Sequence, residues 1–174
     1  MPTVAVAVAE LLRDRGIKHV YTVSGGADLH LIHAITETDG IECIPMQNEQ
    51  GAAFAADACA RLTGIGCALA TSGPGATNLL TGVAASYYDS VPVLFITGQV
   101  TTFRRAHNFG NVRQYGFQET PIVPMSETVT KYSAEPEDRG IVMAIIDAAF
   151  EAMTDCRPGP ALVSIPDDIQ RAEI

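Results

Sequence analysis

Cysteine is scarce in this sequence, and its spacing argues against cysteine-based sites. The chain has four cysteines, none of them in a Cys-x-x-Cys pair, at Cys43, Cys59, Cys67 and Cys156. Such scattering suggests neither a zinc site nor a disulfide framework. Because free cysteine is among the residue types most often buried, we expect core thiols in a reduced, cytoplasmic protein.

Basic residues and long apolar runs are also lacking. Lys and Arg number 11 against 20 Asp and Glu, which gives a formal net charge of -9. Such a surface repels phosphate backbones, so we predict no nucleic-acid partner. No apolar run reaches about 18 residues and the amino-terminal segment is not basic, so we predict neither a membrane span nor a signal peptide. The charged fraction of only 18% suggests that another subunit or domain covers part of the surface.

Short apolar runs alternate with helical patterns along the whole chain. The 174 residues are 47% hydrophobic, which suits one domain with a substantial core. We predict an α/β fold with a parallel sheet of about six strands and helices on both faces, as a single three-layer domain over residues 1–174. The predicted strands cover residues 18–23, 41–46, 66–71, 91–97, 128–132 and 161–165. A long helix is predicted over residues 135–154.

Three features are expected to meet at one edge of this sheet. They are the Gly25-Gly26 turn, Glu49 at the start of an alanine-rich helix, and the Gly73-Pro74-Gly75 turn. Each follows a predicted strand, and ligands of parallel sheets bind beyond the carboxyl ends of the strands. The sequence therefore predicts a ligand site at this edge.

The segment 71–78, Thr-Ser-Gly-Pro-Gly-Ala-Thr-Asn, allows two interpretations. Glycines after a strand let a ligand approach the backbone closely, but the same pattern also suits a tight turn without a ligand. A dinucleotide fingerprint is disfavoured because Asn78 replaces its third glycine and Pro74 removes an amide donor. A flat ring lying against the backbone fits the segment better than a diphosphate does.

Glu49 also has two possible roles. A first-turn acid stabilises the positive end of a helix by ~0.3–1 kcal/mol. A carboxylate at a partly buried ligand edge can instead bond a heterocyclic nitrogen, and each group then favours the charged form of the other. Asp28 is most simply a helix cap. His30 and His33 have the spacing of metal ligands, but no third ligand accompanies them, so we predict surface or core histidines and no metal site.

The polar segment 98–118 is long for a connection in such a fold, and long loops are often functional. Its cationic and amide groups could receive a carboxylate-bearing substrate, or the segment could be a surface loop that contacts another subunit. The candidate groups are Arg104, Arg105, His107, Asn108, Arg113 and Gln114.

Together these motifs resemble the pyrimidine-binding domain of thiamine-diphosphate-dependent enzymes, most closely the acetolactate synthase branch. The resemblance rests on Gly25-Gly26, on Asn48-Glu49-Gln50-Gly51-Ala52 and on the segment 70–79, Ala-Thr-Ser-Gly-Pro-Gly-Ala-Thr-Asn-Leu. The segments 89–100 and 157–161 and the triplet Phe117-Gln118-Glu119 extend it over essentially the whole chain.

The resemblance implies a specific chemistry. A glutamate at the position of Glu49 bonds the N1′ nitrogen of the cofactor's aminopyrimidine, and the activated cofactor then decarboxylates or ligates a 2-oxo acid. Gln118 would face the substrate region from the partner's side of the site. The two glycine turns would lie on either side of the pyrimidine ring. The cofactor-binding residues implied by the resemblance are Gly25, Gly26, Glu49, Thr71, Gly73, Pro74, Gly75 and Asn78.

The sequence also departs from this family. Asn48 replaces its usual histidine, Ser24 replaces the proline of acetolactate synthases, and the loop before Phe117 is longer. The Gly-Asp-Gly signature that holds Mg²⁺ and the diphosphate is absent from the chain. We therefore expect the middle and diphosphate-binding domains elsewhere, in a longer enzyme or in a partner subunit, as in sulfopyruvate decarboxylases.

Several expectations about assembly follow from the resemblance. We expect a homodimer or higher oligomer, and a lone chain that is inactive and binds thiamine diphosphate weakly. FAD could occur in the complete enzyme, but the sequence gives no basis for inferring it. The alternatives are a non-catalytic binding module of the same fold and a nucleotide-binding oxidoreductase domain, which Pro74 and Asn78 disfavour.

Overall fold

The strands form one six-stranded, all-parallel sheet in the order β2-β1-β3-β4-β6-β5, as the sequence predicts. A computed structural model describes residues 1–110 and 112–174. The strands are β1 His19–Val23, β2 Glu42–Pro45, β3 Gly66–Ala70, β4 Val93–Gln99, β5 Tyr132–Ala134 and β6 Ala161–Pro166. All residues of β3, β4 and β6 are buried, which explains why these strands are continuous apolar runs.

Helices cover both faces of the sheet. They are α1 Val4–Asp14, α2 Leu29–Thr36, α3 Glu49–Thr63, α4 Pro74–Asp89, α5 Ile122–Ser126, α6 Val142–Thr154 and α7 Asp167–Gln170. One apolar cluster joins α1, α2 and α6 to the sheet, and a second joins α3, α4 and α5 to it. The result is the predicted three-layer α/β arrangement. No described helix has the length and apolar character that crossing a membrane requires.

Small residues bring α3 and α4 into close contact. A Cβ placed on Gly82 of α4 would lie 2.3 Å from Cβ of Ala53 in α3. A Cβ on Gly66 of β3 would lie 2.1 Å from the carbonyl oxygen of Ala56 in α3. Because such distances leave no room for a methyl group, Gly82 sets how closely α3 and α4 pack, and Gly66 sets how closely α3 packs on the sheet. This packing brings together the amino-terminal ends of α3 and α4.

The strand order changes direction between β1 and β3. From β1 the chain runs through α2 to the outer strand β2, then returns through α3 to β3 on the other side of β1. In open α/β sheets, the crevice beyond the carboxyl ends of two such strands is the usual ligand site. Here the Gly25-Gly26 turn follows β1, and the Gly73-Pro74-Gly75 turn follows β3.

Three local predictions need correction. Strand β2 lies at the sheet edge with Glu42 and Pro45 exposed, whereas the apolar run over residues 41–46 is typical of a buried strand. The short strand before α6 covers Tyr132–Ala134, and a 3-10 helix at Glu127–Val129 occupies the first two positions of the predicted strand. The long helix begins at Val142 and not at residue 135, because the Asp138 side chain caps a separate 3-10 turn by accepting from the Gly140 amide at 2.7 Å.

Candidate functional site

Thr71, directly after β3, lies between the two glycine turns. A Cβ on Gly25 would lie 2.4 Å from Cβ of Thr71, and a Cβ on Gly75 would lie 2.9 Å from Cγ2 of Thr71. The Thr71 hydroxyl accepts from the Ala27 amide at 3.2 Å, which joins it to the first turn. Both turns are therefore held against one side chain, and neither leaves space there for a larger residue.

Glu49 reaches the same place from the first turn of α3. Its Oε2 accepts from the Asn78 side-chain amide at 2.7 Å, and its Oε1 lies 3.5 Å from the Cβ position of Gly75. The helix begins here because the Asn48 side chain caps it, accepting from the Gly51 amide at 2.7 Å. Glu49 thus occupies the helix-dipole position and also faces the second glycine turn. It is half-buried and forms no ion pair within the described part of the chain.

Asn78 holds two side chains at once. Its amide nitrogen donates to Glu49, and its carbonyl oxygen accepts from Nε2 of Gln50 at 3.0 Å. The sequence assigns Asn78 to cofactor binding. In the structure its polar atoms are directed at Glu49 and Gln50, which suits a residue that orients the carboxylate.

Asp28 differs from its predicted role as a helix cap. It occupies the N-cap position of α2 but makes no side-chain capping bond; its Oδ1 instead accepts from the Gly25 amide at 2.8 Å. The residue is fully buried, and its Oδ2 has no hydrogen-bond partner among the described residues. Burial, together with the nearby charge of Glu49, raises the pKa of Asp28 to about 6. A buried acid therefore supports the first glycine turn, a role that local sequence does not indicate.

Gln118 packs on the second glycine turn of its own chain. A Cβ on Gly73 would lie 2.7 Å from Cβ of Gln118 and equally close to its carbonyl oxygen. Gly73 has a φ of +63°, and Gln118 itself has a φ of +58°, which non-glycine residues rarely adopt. The next residue, Pro74, is exposed at the amino-terminal end of α4. One chain therefore brings Gln118, Gly73, Gly75 and Glu49 to one edge.

The described part of the segment after β4 contacts a buried carboxylate, that of Glu119. The Glu119 carboxylate accepts from the amides of Ala106, Tyr115 and Gly116 and from Nε of Arg105. Burial alone would raise the pKa of Glu119, but these hydrogen bonds outweigh it and the pKa is lowered. Arg105 also pairs with Glu135, which precedes α6.

Among the other candidates of this loop, Arg113 is exposed, the Gln114 side chain donates to the Gly116 carbonyl at 2.9 Å, and the remaining three line cavities. His107 and Asn108 line a cavity of about 610 Å³ beside Glu135 and Glu137. Arg104 lies at the carboxyl edge of the sheet, in a cavity of about 270 Å³. The cavity at Arg104 is also lined by Gly26, Ala27, Thr71, Ser72, Gln99, Val100, Thr101, Phe117, Gln118 and Asp167.

The histidine pair of α2 lies on the surface of the protein. His30 and His33 are exposed, and Nε2 of His30 lies 3.5 Å from a carboxylate oxygen of Asp167. Over residues 1–110 and 112–174, no group of three or more His, Cys, Asp or Glu side chains could hold a metal ion.

Comparison with known proteins matches residues 2–125 to the family model described as "Thiamine pyrophosphate enzyme, N-terminal TPP binding domain". The chain is 41% identical to a chloroplastic acetolactate synthase of Arabidopsis thaliana, over 94% of this chain and 24% of that protein. It is 40% identical to an acetolactate synthase of Arthrospira platensis, over 99% of this chain and 29% of that protein. With the large subunit from Haemophilus influenzae the identity is 39%, over 94% of this chain and 28% of that protein. The chain thus spans about a quarter of the length of these relatives.

Proposed function

Because the chain belongs to the thiamine pyrophosphate enzyme family, through its N-terminal TPP binding domain, we propose that it binds the cofactor's aminopyrimidine and activates it through Glu49. On this proposal, the complete enzyme uses the activated cofactor to decarboxylate or ligate a 2-oxo acid. The supporting observation is that Oε2 of Glu49 is held by Asn78 while Oε1 lies beside Gly75.

The residues at this edge fit the pyrimidine part of thiamine diphosphate. Gly25 and Gly75 present bare backbone at positions where a Cβ would meet Thr71, so a flat ring can lie close to both turns. Glu49 has no cationic partner among the described residues, which leaves its carboxylate available to a ring nitrogen. A partly buried carboxylate facing such a nitrogen forms a stronger bond than it would in water.

When bound, thiamine diphosphate supplies an acidic thiazolium carbon and an electron sink for decarboxylation. The chain's own contribution is placement and polarity. With the cofactor bound, the Glu49 carboxylate would hold a proton at the aminopyrimidine, and Asn78 would keep that carboxylate from rotating away. Thr71 fixes the spacing of the two glycine turns, and Asp28 fixes the first turn through the Gly25 amide. Gln118, packed on Gly73, supplies an amide on the substrate side.

The acetolactate synthase relatives support a carboligase over a simple decarboxylase. On this proposal, residues outside this chain hold the diphosphate and Mg²⁺, and the working unit is a homodimer or a larger assembly. Exposed apolar side chains on α3 and α4 support such an assembly: Phe54 is 45% exposed and Tyr88 is 69% exposed. Surfaces of this kind are commonly covered by another subunit.

The test is the variant Glu49→Gln in the assembled enzyme loaded with thiamine diphosphate and Mg²⁺. Glutamine keeps the shape and the bonding to Asn78 but cannot hold the ring proton. We expect exchange of the cofactor's C2 proton, followed by NMR, to slow by at least about a hundredfold, a typical loss for a general acid–base group. The control is Glu151→Gln, an exposed carboxylate on α6. Unchanged exchange in Glu49→Gln, with the fold intact, would refute the assignment.

A further inference from the structure

Gln170, in the short helix α7, is a fully buried polar residue. Its Nε2 donates to the carbonyl oxygen of Ala27 at 2.7 Å and to that of Ile165 at 2.7 Å. Ala27 directly follows the first glycine turn, after β1, whereas Ile165 lies in β6. Because β3 and β4 lie between β1 and β6 in the sheet, this one side chain joins parts of the chain that the strands themselves do not pair.

The peptide group between Ala27 and Asp28 rests directly on the sheet. A Cβ on Gly98 of β4 would lie 2.1 Å from the carbonyl oxygen of Ala27 and 3.0 Å from the amide nitrogen of Asp28. Glycine has no Cβ and therefore allows the two backbones to approach this closely. The Ala27 carbonyl is thus confined by β4, and Gln170 supplies its hydrogen bond.

Three side chains hold the first glycine turn, and each bonds a different backbone group. The Asp28 carboxyl accepts from the Gly25 amide at 2.8 Å. Thr71 accepts from the Ala27 amide at 3.2 Å, and Gln170 donates to the Ala27 carbonyl. Gln170 is the donor of the three, and it comes from a position 143 residues away from Ala27 in the sequence. Its contribution to the turn therefore differs in kind from the other two.

Burial makes the hydrogen bonds of Gln170 costly to lose. A buried polar group without a partner keeps the cost of its removal from water, so hydrogen bonds in such places matter more than exposed ones. The Oε1 atom of Gln170 has no hydrogen-bond partner among the described residues, which is itself unfavourable. The residue therefore occupies this position for the donors on its nitrogen, which hold the Ala27 carbonyl to the end of β6.

We propose that Gln170 is a positioning residue for the cofactor, because it holds the first glycine turn at the height above the sheet at which the bare backbone of Gly25 and Gly26 can meet a flat ring. Gln170 has no accessible surface of its own and acts through the Ala27 carbonyl. The identity of the ring rests on the proposed function, whereas the hold on the turn does not. Removal of the Gln170 donors should loosen the turn and weaken cofactor binding.

The first test is hydrogen–deuterium exchange, followed by mass spectrometry, in the assembled enzyme without cofactor. Gln170→Met keeps the length of the side chain and removes its donors. We expect the backbone amides of residues 24–28 to exchange at least about tenfold faster, as loss of a buried hydrogen bond implies, while those of α6 keep their rates. The control is Met153→Ala, at a fully buried position in α6, which should give the opposite pattern.

The second test is calorimetric titration of the same variants with thiamine diphosphate in the presence of Mg²⁺. We expect Gln170→Met to bind the cofactor about tenfold more weakly than the unmodified enzyme, which corresponds to one buried hydrogen bond. Met153→Ala also lowers the stability of the protein, but it lies in α6, away from the first glycine turn. Its affinity for the cofactor should therefore match that of the unmodified enzyme, which separates positioning from a general loss of stability.

Two results would overturn the proposal: equal acceleration of exchange in residues 24–28 and in α6, or equal cofactor affinities in Gln170→Met and Met153→Ala. Gln170→Asn keeps a buried amide but is one methylene too short to reach both carbonyls, so it provides the same comparison if Gln170→Met fails to fold. The exchange measurement needs no cofactor, so its outcome does not depend on the proposed function. An unchanged C2 proton exchange in Glu49→Gln would refute the role of Glu49 alone.

Discussion

The Asn78 side-chain amide donates to Oε2 of Glu49 at 2.7 Å, and this bond joins α4 to the first residue of α3. Glu49 begins α3 and Asn78 lies in the second turn of α4, so their contact depends on the glycine–alanine packing between these helices. The bond occupies one carboxylate oxygen and leaves the other beside Gly75. The direction of the Glu49 carboxylate is therefore set from α4, the helix that follows the second glycine turn.

We predict that Asn78→Ala slows exchange of the cofactor's C2 proton by about tenfold, since a hydrogen bond to a charged group is worth about 1.5–3 kcal/mol. The measurement is NMR-detected exchange in the loaded enzyme, with thermal unfolding recorded alongside. Thr77→Ala is the matched control, because its hydroxyl bonds only the Pro74 carbonyl. Equal rates in the two variants would contradict an orienting role for Asn78.

Gly75→Ala should destabilise the chain by about 1–3 kcal/mol, the usual cost of overpacking, because the new Cβ would lie 2.9 Å from Cγ2 of Thr71. Thr71→Ser removes that methyl group while keeping the hydroxyl that accepts from Ala27. We therefore expect the double variant to recover much of the loss in urea unfolding. Gly26→Ala is the control, since a Cβ there meets no atom within 4 Å. Strictly additive effects of Gly75→Ala and Thr71→Ser would argue against the contact.

The buried Asp28 predicts a particular pH dependence of stability. Its folded pKa of about 6 exceeds the ordinary value of 3.8, so the folded state favours the protonated acid. The contribution of protonated Asp28 to the free energy of unfolding is fully present below about pH 4. It is lost as the pH rises through 6, and the loss amounts to up to about 3 kcal/mol. Asp28→Asn keeps an acceptor for the Gly25 amide without the charge.

We therefore expect Asp28→Asn to raise the free energy of unfolding at pH 8 relative to the unmodified chain, and to lose this advantage near pH 4. Urea unfolding across this range measures the difference. Asp39→Asn, at an exposed position after α2, controls for the change in net charge. Parallel stability curves for Asp28→Asn and the unmodified chain would show that burial does not hold this acid in its neutral form.

Arg105→Gln should be far more damaging than removal of any exposed arginine. It leaves Glu119, with a side chain only 9% exposed, without its cationic partner and deprives Glu135 of the same contact. Breaking a buried ion pair on one side costs about 3–5 kcal/mol. Chemical denaturation of Arg105→Gln and Arg113→Gln measures the contrast. If Arg105→Gln lowers the free energy of unfolding by less than about 1 kcal/mol, the loop does not depend on these ion pairs, because a buried pair is expected to cost more.

The fold and the Glu49 edge were predictable because both depend on strong local signals. Apolar runs between helical patterns predict a parallel sheet, and its strands necessarily end at one edge, which brings Gly25, Glu49 and Gly75 together. The resemblance to thiamine-diphosphate enzymes is confirmed by the family match, and that family implies the cofactor. The roles of Glu49 and Gln118 remain predictions.

Other features were not predictable because they depend on contacts between distant parts of the chain. Asp28 has the sequence position of a cap, but its carboxyl bonds backward to Gly25, and only the packed sheet shows that it is buried. Arg104 and Arg105 are neighbours with the same chemistry, but only Arg105 pairs with Glu135, which is 30 residues away in the sequence. The edge position of β2 likewise depends on strand pairing, which its apolar sequence does not encode.

Thr71 contacts both Gly25 and Gly75 with a single side chain, so the two turns share one spacer. A redesign of these turns for a bulkier heterocycle cannot move one turn alone. Displacement of either turn also displaces Thr71, and through Thr71 it displaces the other turn and the helix that carries Asn78. The size of the ring that fits there consequently depends on Gly25, Thr71 and Gly75 together. A single substitution at one of these positions will cause a steric clash and will not change which ligand is preferred.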